Sequence, residues 1–210
     1  MNAMLFAAGL GTRLQPLTLS RPKPVVPVAN RPLGSFAMAH LAAAGVTRIV
    51  ANVHHLADVA EVLLEQSAPS GVQLRVVRET ELLGTGGGLR NAWSLLRRGA
   101  NSVEPTIVMN SDILFTPDIA RAIETHERLG AVATMILRPD PNAKSYGAIE
   151  IDEEGRVRRL LGRPEDVDVP LRALMFTGVH ILSAGAANDL PDTGCIVQSS
   201  YRHWIDQGRV

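Results

Sequence analysis

The chain has 210 residues, of which 46% are hydrophobic and 20% charged, and this composition is typical of a folded globular domain rather than a disordered segment. The 21 basic and 21 acidic side chains cancel, so no overall basic field points to nucleic acid or to a membrane surface. A single cysteine, Cys195, excludes an intramolecular disulfide and a thiolate-rich metal site. We therefore expect a small-molecule partner and a cytoplasmic location.

The first part of the sequence alternates between short apolar runs and helical patterns. The apolar runs predict strands at residues 3–7, 48–53, 73–77 and 106–109. The helical patterns predict helices at 32–44, 56–66, 87–96 and 117–129, the last with Thr116 as its N-cap. This alternation predicts a mostly parallel sheet with helices on both faces and with ligands at the carboxyl ends of its strands.

From residue 131 onwards the pattern changes to strands that follow one another. Strands are predicted at 131–137, 147–152, 157–161 and 174–182, and a glycine-containing turn near Gly155 joins two of them as a hairpin. The segment 196–207 predicts a last helix. The loop clusters between these elements are too short to separate domains, so we expect a single domain over residues 1–210.

The stretch after the first strand has the features of a phosphate-binding loop. Gly9 and Gly11 let the backbone approach a ligand, and successive N–H groups in such a loop attract anions. Arg13 offers a planar fork of donors, and Lys23 offers a compact charge on a segment that two flanking prolines stiffen. The third glycine of a dinucleotide fingerprint and a Gly-Lys-Ser/Thr string are both missing, so the alternatives are a polyphosphate loop and a plain surface loop.

Three further places could carry chemistry. Asp112 stands just past a predicted strand, at the ligand edge of the sheet, where a carboxylate could bind Mg²⁺; the alternative is a turn aspartate before a helix. The run from Glu79 to Gly88 sets glycines before a helix, either to admit a ligand or as a bare turn. His54 and His55 are adjacent and would point to opposite faces of a strand, so we assign them a structural role.

Beyond these separate features, the string from Ala7 to Thr18, with Pro22-Lys23-Pro24, closely resembles the signature of the sugar-1-phosphate nucleotidylyltransferases. The resemblance implies a Rossmann-like three-layer α/β/α sandwich, with a mostly parallel central sheet and a β-rich, sugar-binding second half. It implies Mg²⁺-dependent nucleotidyl transfer from a nucleoside triphosphate to a sugar 1-phosphate, which gives a nucleotide-sugar and pyrophosphate. Neither nucleic acid nor a membrane is expected as a partner, and a homo-oligomer is compatible with the sequence.

The same resemblance assigns roles to the residues at matching positions. The expected catalytic residues are Arg13, Lys23 and Asp112, with Asp112 as the magnesium ligand. Glu79 matches the position that meets the nucleobase, and a carboxylate accepts hydrogen bonds only, which suits guanine or uracil and favours GTP or UTP. The residues expected to bind the nucleotide are Ala7, Ala8, Gly9, Gly11, Thr12, Arg13, Glu79, Gly84 and Thr85. The chain looks most like guanylyltransferases for mannose or heptose phosphates and like the uridylyltransferase for N-acetylmuramate 1-phosphate.

The sugar side of the site departs from the family's pattern. The residues expected to bind the sugar are Tyr146, Gly147, Arg163, Thr177 and Gly178. Where the family often has Glu-Lys-Pro, this chain has Gly162-Arg163-Pro164, so Arg163 is expected to replace the cation while the carboxylate is lost. A catalytically weak or inactive nucleotide- or sugar-sensing relative is therefore the alternative function.

A string near the end of the sequence matches the Trp-x-Asp-x-Gly motif with which the family usually ends its catalytic domain. The string runs from Trp204 to Gly208 and includes Asp206. It follows Gly178 sooner than the family pattern predicts, and it lies in helical sequence. We therefore expect the chain to lack the C-terminal end of the domain.

Overall fold

The computed structural model describes residues 1–101 and 103–210, apart from the side chain of Tyr146. The strands are β1 (Asn2–Phe6), β2 (Pro27–Val28), β3 (Arg31–Pro32), β4 (Arg48–Val53), β5 (Gln73–Arg78), β6 (Thr106–Asn110), β7 (Ala133–Arg138), β8 (Ile149–Ile151), β9 (Val157–Leu160) and β10 (Arg172–Leu182). The helices are α1 (Leu17–Ser20), α2 (Leu33–Ala43), α3 (Ala57–Gln66), α4 (Gly84–Leu96), α5 (Ile119–Leu129) and α6 (Ser200–Asp206). Short 3-10 turns cover Thr12–Leu14, Lys23–Val25, Ala143–Tyr146 and Ala184–Asp189. Among the described helices, none has the length and apolarity needed to cross a membrane.

One eight-stranded sheet runs through the molecule in the order β5-β4-β1-β6-β10-β8-β9, with β7 also paired to β10. Strands β5, β4, β1 and β6 are parallel to one another, as the alternating pattern predicts. The later strands pair antiparallel, and β8 and β9 form the predicted hairpin. The β-rich second half therefore extends the same sheet beyond β6.

Both faces of β1, β4 and β6 are buried, which explains why these strands are apolar without alternation. The edge strand β5 is only partly buried. In β1, Ala3 and Leu5 belong to the core that faces α2, α3 and α5, whereas Met4 belongs to the core that faces α4 and α6. Met38 and Leu64 fill the first core, and Leu89 and Trp204 fill the second. The predicted three-layer α/β/α arrangement is confirmed.

Three helix boundaries differ from the sequence-based prediction. Helix α4 begins at Gly84, three residues before the predicted start, although glycine disfavours helix. Helix α5 is capped by Asp118, whose carboxylate accepts a hydrogen bond from the N–H of Arg121 at 3.0 Å, so the prediction of Thr116 as N-cap was wrong. The last helix, α6, is shorter than predicted.

Candidate functional site

Three neighbouring parallel strands end side by side at the carboxyl edge of the sheet. Phe6 at the end of β1 is in register with Asn52 of β4 on one side and with Asn110 of β6 on the other. Glu79 follows β5 directly, so its carboxylate joins the same edge. These side chains border a cavity of about 220 Å³. The cavity is lined by Phe6, Ala7, Ala8, Gly9, Lys23, Pro24, Asn52, Glu79, Leu82, Gly84, Thr85, Asn110, Ser111 and Asp112.

Most of the residues predicted to bind the nucleotide or to be catalytic meet around this cavity. They are Ala7, Ala8, Gly9, Lys23, Glu79, Gly84, Thr85 and Asp112. Gly11, Thr12 and Arg13 are not among the lining residues; they lie on the adjoining 3-10 turn, where Arg13 is exposed. Gly11 has a left-handed φ of 65°, and its carbonyl accepts a hydrogen bond from the Thr18 hydroxyl at 2.9 Å. The roles of these three residues stay predictions.

Lys23 and Asp112 form an ion pair across the mouth of the cavity, although 89 residues separate them in the sequence. Their side chains are 24% and 30% exposed, so solvent screens the pair and its contribution to stability is small. No group of three or more His, Cys, Asp or Glu residues among those described could hold a metal ion. Asp112 is thus a single carboxylate, which suits an ion that takes its other ligands from phosphates and water.

A buried hydrogen-bond chain ties the glycine loop to the opposite wall of the cavity. The N–H of Ala7 donates to Oδ1 of Asn52 at 3.0 Å, and Nδ2 of Asn52 donates to Oε1 of Glu79 at 2.7 Å. The N–H of Leu83 donates to Oε2 of Glu79 at 3.2 Å. Because Glu79 is only 6% exposed, these bonds fix the direction of its carboxylate.

The glycines at the start of α4 allow another segment of the chain, residues 192–194, to approach closely. The N–H of Gly86 donates to the carbonyl of Gly194 at 2.8 Å, and the N–H of Gly194 donates to the carbonyl of Leu83 at 2.7 Å. A Cβ on Gly87 would lie 2.5 Å from a backbone oxygen of Asp192, and one on Gly88 would lie 2.7 Å from both Asn52 and Glu79. The segment 192–194 therefore caps the helix, and of this glycine run only Gly84 lines the cavity.

A second cavity, of about 390 Å³, adjoins the first and shares Asn110 and Asp112 with it. Two predicted sugar-site residues, Thr177 and Gly178, line this second cavity. Gly178 has a φ of 81°, and a Cβ there would lie 2.6 Å from Nδ2 of Asn110, so only glycine fits. The remaining lining residues are Ile113, Leu114, Phe115, Arg138, Met175 and Phe176.

The other predicted sugar-site residues lie elsewhere. Arg163 borders a separate cavity with Arg202 and Asp206, and Gly147 borders another with Lys144. Neither of these cavities shares a lining residue with the two at the sheet edge. The side chain of Tyr146 lies outside the described part of the chain. The sugar-binding roles of Gly147 and Arg163 stay predictions without support from this arrangement.

His54 and His55 have the structural role that their adjacency predicts. The His54 ring donates from Nδ1 to the carbonyl of Glu79 at 2.9 Å, and the His55 ring donates from Nε2 to the carbonyl of Thr18 at 2.7 Å. They fasten two loops around the first cavity.

The buried side chains of His180 and Tyr201 form a hydrogen-bonded pair, and His180 packs against a lining residue of each cavity. Nδ1 of His180 lies 2.6 Å from the hydroxyl of Tyr201. The His180 ring centroid is 6.4 Å from that of Phe6 and 5.5 Å from that of Phe176, which line the two cavities. Burial lowers the pKa of His180 to about 3 and raises the pKa of Tyr201 well above its usual value. His180 is therefore neutral at physiological pH and acts as a packing group.

Comparison with known proteins shows what the chain is similar to. The family model described as nucleotidyl transferase matches residues 2–193. A mannose-1-phosphate guanylyltransferase from Mycobacterium tuberculosis is 33% identical over 191 residues, which are 91% of this chain and 51% of that protein. A UTP–glucose-1-phosphate uridylyltransferase from Synechocystis is 29% identical over 202 residues, again covering 91% of this chain and 51% of that protein.

Among solved structures, HddC from Yersinia pseudotuberculosis complexed with GMP-PN superposes with a TM-score of 0.74 at 26% identity. The match covers 93% of this chain and 82% of that one. The chain spans about half the length of the curated relatives it matches.

Proposed function

Because the chain belongs to the nucleotidyl transferase family, we propose that it transfers a nucleotidyl group from a nucleoside triphosphate to a sugar 1-phosphate. The observation that carries this proposal is the pair of adjoining cavities that share Asn110 and Asp112. The nucleotide would occupy the cavity with the glycine loop and Glu79, and the sugar phosphate would occupy the other. Their reacting groups would then meet at Asp112, beside the ammonium of Lys23.

The reaction needs little proton chemistry. A phosphate monoester has a second pKa of about 6, so its attacking oxygen is already ionised at neutral pH. That oxygen forms a bond to the α-phosphorus, and the bond from the α-phosphorus to the oxygen bridging the β-phosphate breaks. Pyrophosphate leaves with the electron pair. The protein's part is to align the two anions and to offset their charge. We assign this part to the backbone N–H groups at Ala8 and Gly9 and to the Lys23 ammonium, which line the first cavity.

Magnesium is the cofactor that we propose, and Asp112 is the residue that would hold it. A lone, partly exposed carboxylate fits Mg²⁺, which usually binds one or two carboxylates together with substrate phosphates and water. When bound, the ion would neutralise phosphate charge and favour in-line displacement. Lys23 pairs with the same carboxylate, so a cation held by Asp112 would compete with the Lys23 ammonium for it.

The wall of the first cavity at Glu79, where the nucleobase would bind, supports GTP or UTP as the donor. Each oxygen of Glu79 receives one hydrogen bond from the protein, and a carboxylate oxygen can accept two. The free acceptor positions suit a base edge that donates, such as guanine or uracil. The names of the two relatives point to these same two bases: one is a guanylyltransferase and the other a UTP-dependent enzyme.

The experiment that tests the function is pyrophosphate release with Mg²⁺ across a grid of substrates. GTP, UTP, dTTP, ATP and CTP would each be paired with the 1-phosphates of mannose, heptose, glucose and N-acetylmuramate. A positive pair with GTP or UTP is the expected outcome. Lys23→Ala and Asp112→Ala should each lower turnover by about 100-fold or more, since each removes one preorganised electrostatic group.

The control for Lys23→Ala is Lys144→Ala, because Lys144 is the other lysine of the chain and lies outside both cavities. It should leave turnover unchanged. Near-normal turnover of the Lys23 or Asp112 variants would refute their roles.

One observation favours a second candidate, a sensor that binds nucleotide without turnover. The Asp206 carboxylate lies in the cavity with Arg163 and Arg202, so it adds nothing to Asp112 at the sheet edge. A version of the chain extended beyond Val210 distinguishes the candidates. Nucleotide binding by the extended version with no pyrophosphate release from any pair would favour the sensor.

A further inference from the structure

We propose that Arg138 binds the phosphate of the sugar 1-phosphate. This inference rests on the proposed function, and it names the positively charged residue that would hold the sugar phosphate in the second cavity. Arg138 is the basic residue among those that line the second cavity, and Asp112 lines the same cavity. The guanidinium and the carboxylate therefore face one space. A dianion that enters this space meets the Arg138 guanidinium, whereas the Lys23 ammonium lines the first cavity and pairs with Asp112.

The fold places Arg138 here through an irregular strand pairing. Arg138 ends β7 opposite Met175, and the register between β7 and β10 shifts between Phe176 and His180. The hydroxyl of Thr177 donates to the carbonyl of Ile136 at 2.7 Å across this irregularity. The shifted segment carries Thr177 and Gly178 to the cavity wall while the end of β7 remains beside them.

The guanidinium is held at one side and open at the other. Nη2 of Arg138 donates to Oδ2 of Asp140 at 2.8 Å, and Asp140 is itself fixed by the N–H of Asn142 at 2.8 Å. Among the described residues, the hydrogen bonds of Arg138 all come from Nη2. Nε and Nη1 keep their N–H groups for a ligand, and two N–H groups of one guanidinium can bind two phosphate oxygens. The side chain is 55% exposed, so an incoming anion can reach it.

Charge balance favours the same assignment. A sugar 1-phosphate brings about two negative charges at neutral pH next to the carboxylate of Asp112. The cation expected from the sequence, Arg163, lines a cavity with Glu165 and Asp206 that shares no residue with this one. Arg138 supplies the cation that the position of Arg163 leaves missing.

The test compares Arg138→Gln, which keeps most of the side-chain stem, with Arg163→Gln, which removes the cation expected from the sequence. Arg128→Gln is the matched control, because Arg128 is exposed on α5 and lines neither cavity. In the active enzyme, Arg138→Gln should raise the KM for the sugar 1-phosphate by about 10- to 100-fold, as expected for the loss of a charge-assisted hydrogen-bonded contact. The KM for the nucleoside triphosphate should stay within about twofold, and Arg128→Gln should change neither constant. Arg138→Lys should recover part of the loss, because lysine keeps the charge without the fork.

A direct titration with mannose 1-phosphate, or with whichever sugar 1-phosphate the grid selects, separates the possible failures. If the wild type binds the ligand and Arg138→Gln binds it equally well, the assignment of Arg138 is overturned while the proposed function stands. An equal loss in Arg163→Gln would also overturn the assignment. If the wild type neither binds the ligand nor releases pyrophosphate, the proposed function fails and the inference fails with it.

Discussion

Replacing Asn52 with alanine tests whether one buried amide builds the nucleotide side of the site. The change removes the acceptor of the Ala7 N–H and the donor to Glu79. An unsatisfied buried N–H costs about 1–3 kcal/mol, and a hydrogen bond to a charged group contributes about 1.5–3 kcal/mol. We expect the free energy of unfolding to fall by about 3–5 kcal/mol, which lowers Tm by about 10 °C in a domain of this size.

The same substitution should weaken nucleotide binding, because both the glycine loop and the Glu79 carboxylate lose their anchor. The matched control is Asn2→Ala, since Asn2 is also buried and donates to the carbonyl of Leu96 at the opposite end of β1. Asn2→Ala should lower Tm without changing the Kd for GTP or UTP. Chemical denaturation and nucleotide titration of both variants give the answer. An unchanged Kd in Asn52→Ala, or an equal rise of Kd in the two variants, would refute the reasoning.

Two further predictions concern packing and titration. Gly88→Ala should lower the free energy of unfolding, because its Cβ would lie 2.7 Å from Asn52 and Glu79. The control Gly185→Ala, with open space around its Cβ, should be nearly neutral by chemical denaturation. Equal stability of the two variants would contradict the close packing at Gly88. The pKa of His180 is lowered to about 3, so below the unfolded value of 6.5 the unfolded state binds more protons and stability falls as pH falls. The contribution of His180 to this slope should be up to about 1.4 kcal/mol per pH unit below pH 6.5. His180→Asn should reduce the change in the free energy of unfolding between pH 6.5 and 5, leaving the contribution of His126, whose pKa is also lowered by burial. An unchanged slope would show that His180 is protonated in the folded state.

Strands β1, β4 and β6 could be predicted from the sequence because they are buried on both faces. A strand such as β4 is a short run of apolar and β-branched residues, and the predicted bounds agree with the observed ones. The start of α4 could not be predicted in this way. Its first turn is glycine-rich, and what stabilises it is the contact with Gly194, which lies far away along the chain.

The residues of the candidate site could also be predicted only in part. Lys23, Glu79 and Asp112 stand in recognisable local strings, and the structure brings them together. Asn52 and Asn110 were missed, although a polar residue at the end of a buried strand is a signal for them. Their significance depends on strand register, which places both beside Phe6 and which a single sequence does not contain.

Arg163 and Arg138 show the limit of transferring roles by position. The sequence places Arg163 at the family's lysine position, but the arginine that lines the cavity with Asp112 is the one at the end of β7. The register shift between β7 and β10 lies near Arg138, and residue type alone does not reveal such an irregularity.

The cap on α4 also sets the order in which the cavity can form during protein synthesis. Thr85 accepts a hydrogen bond from the N–H of Ile196, which is 111 residues further along the chain. The glycine loop and strands β1 to β6 emerge from the ribosome long before that partner exists. The wall beside Glu79 is therefore completed late, and a nascent chain that ends before residue 190 would lack the contacts that Gly194 and Ile196 make with the glycine-rich start of α4.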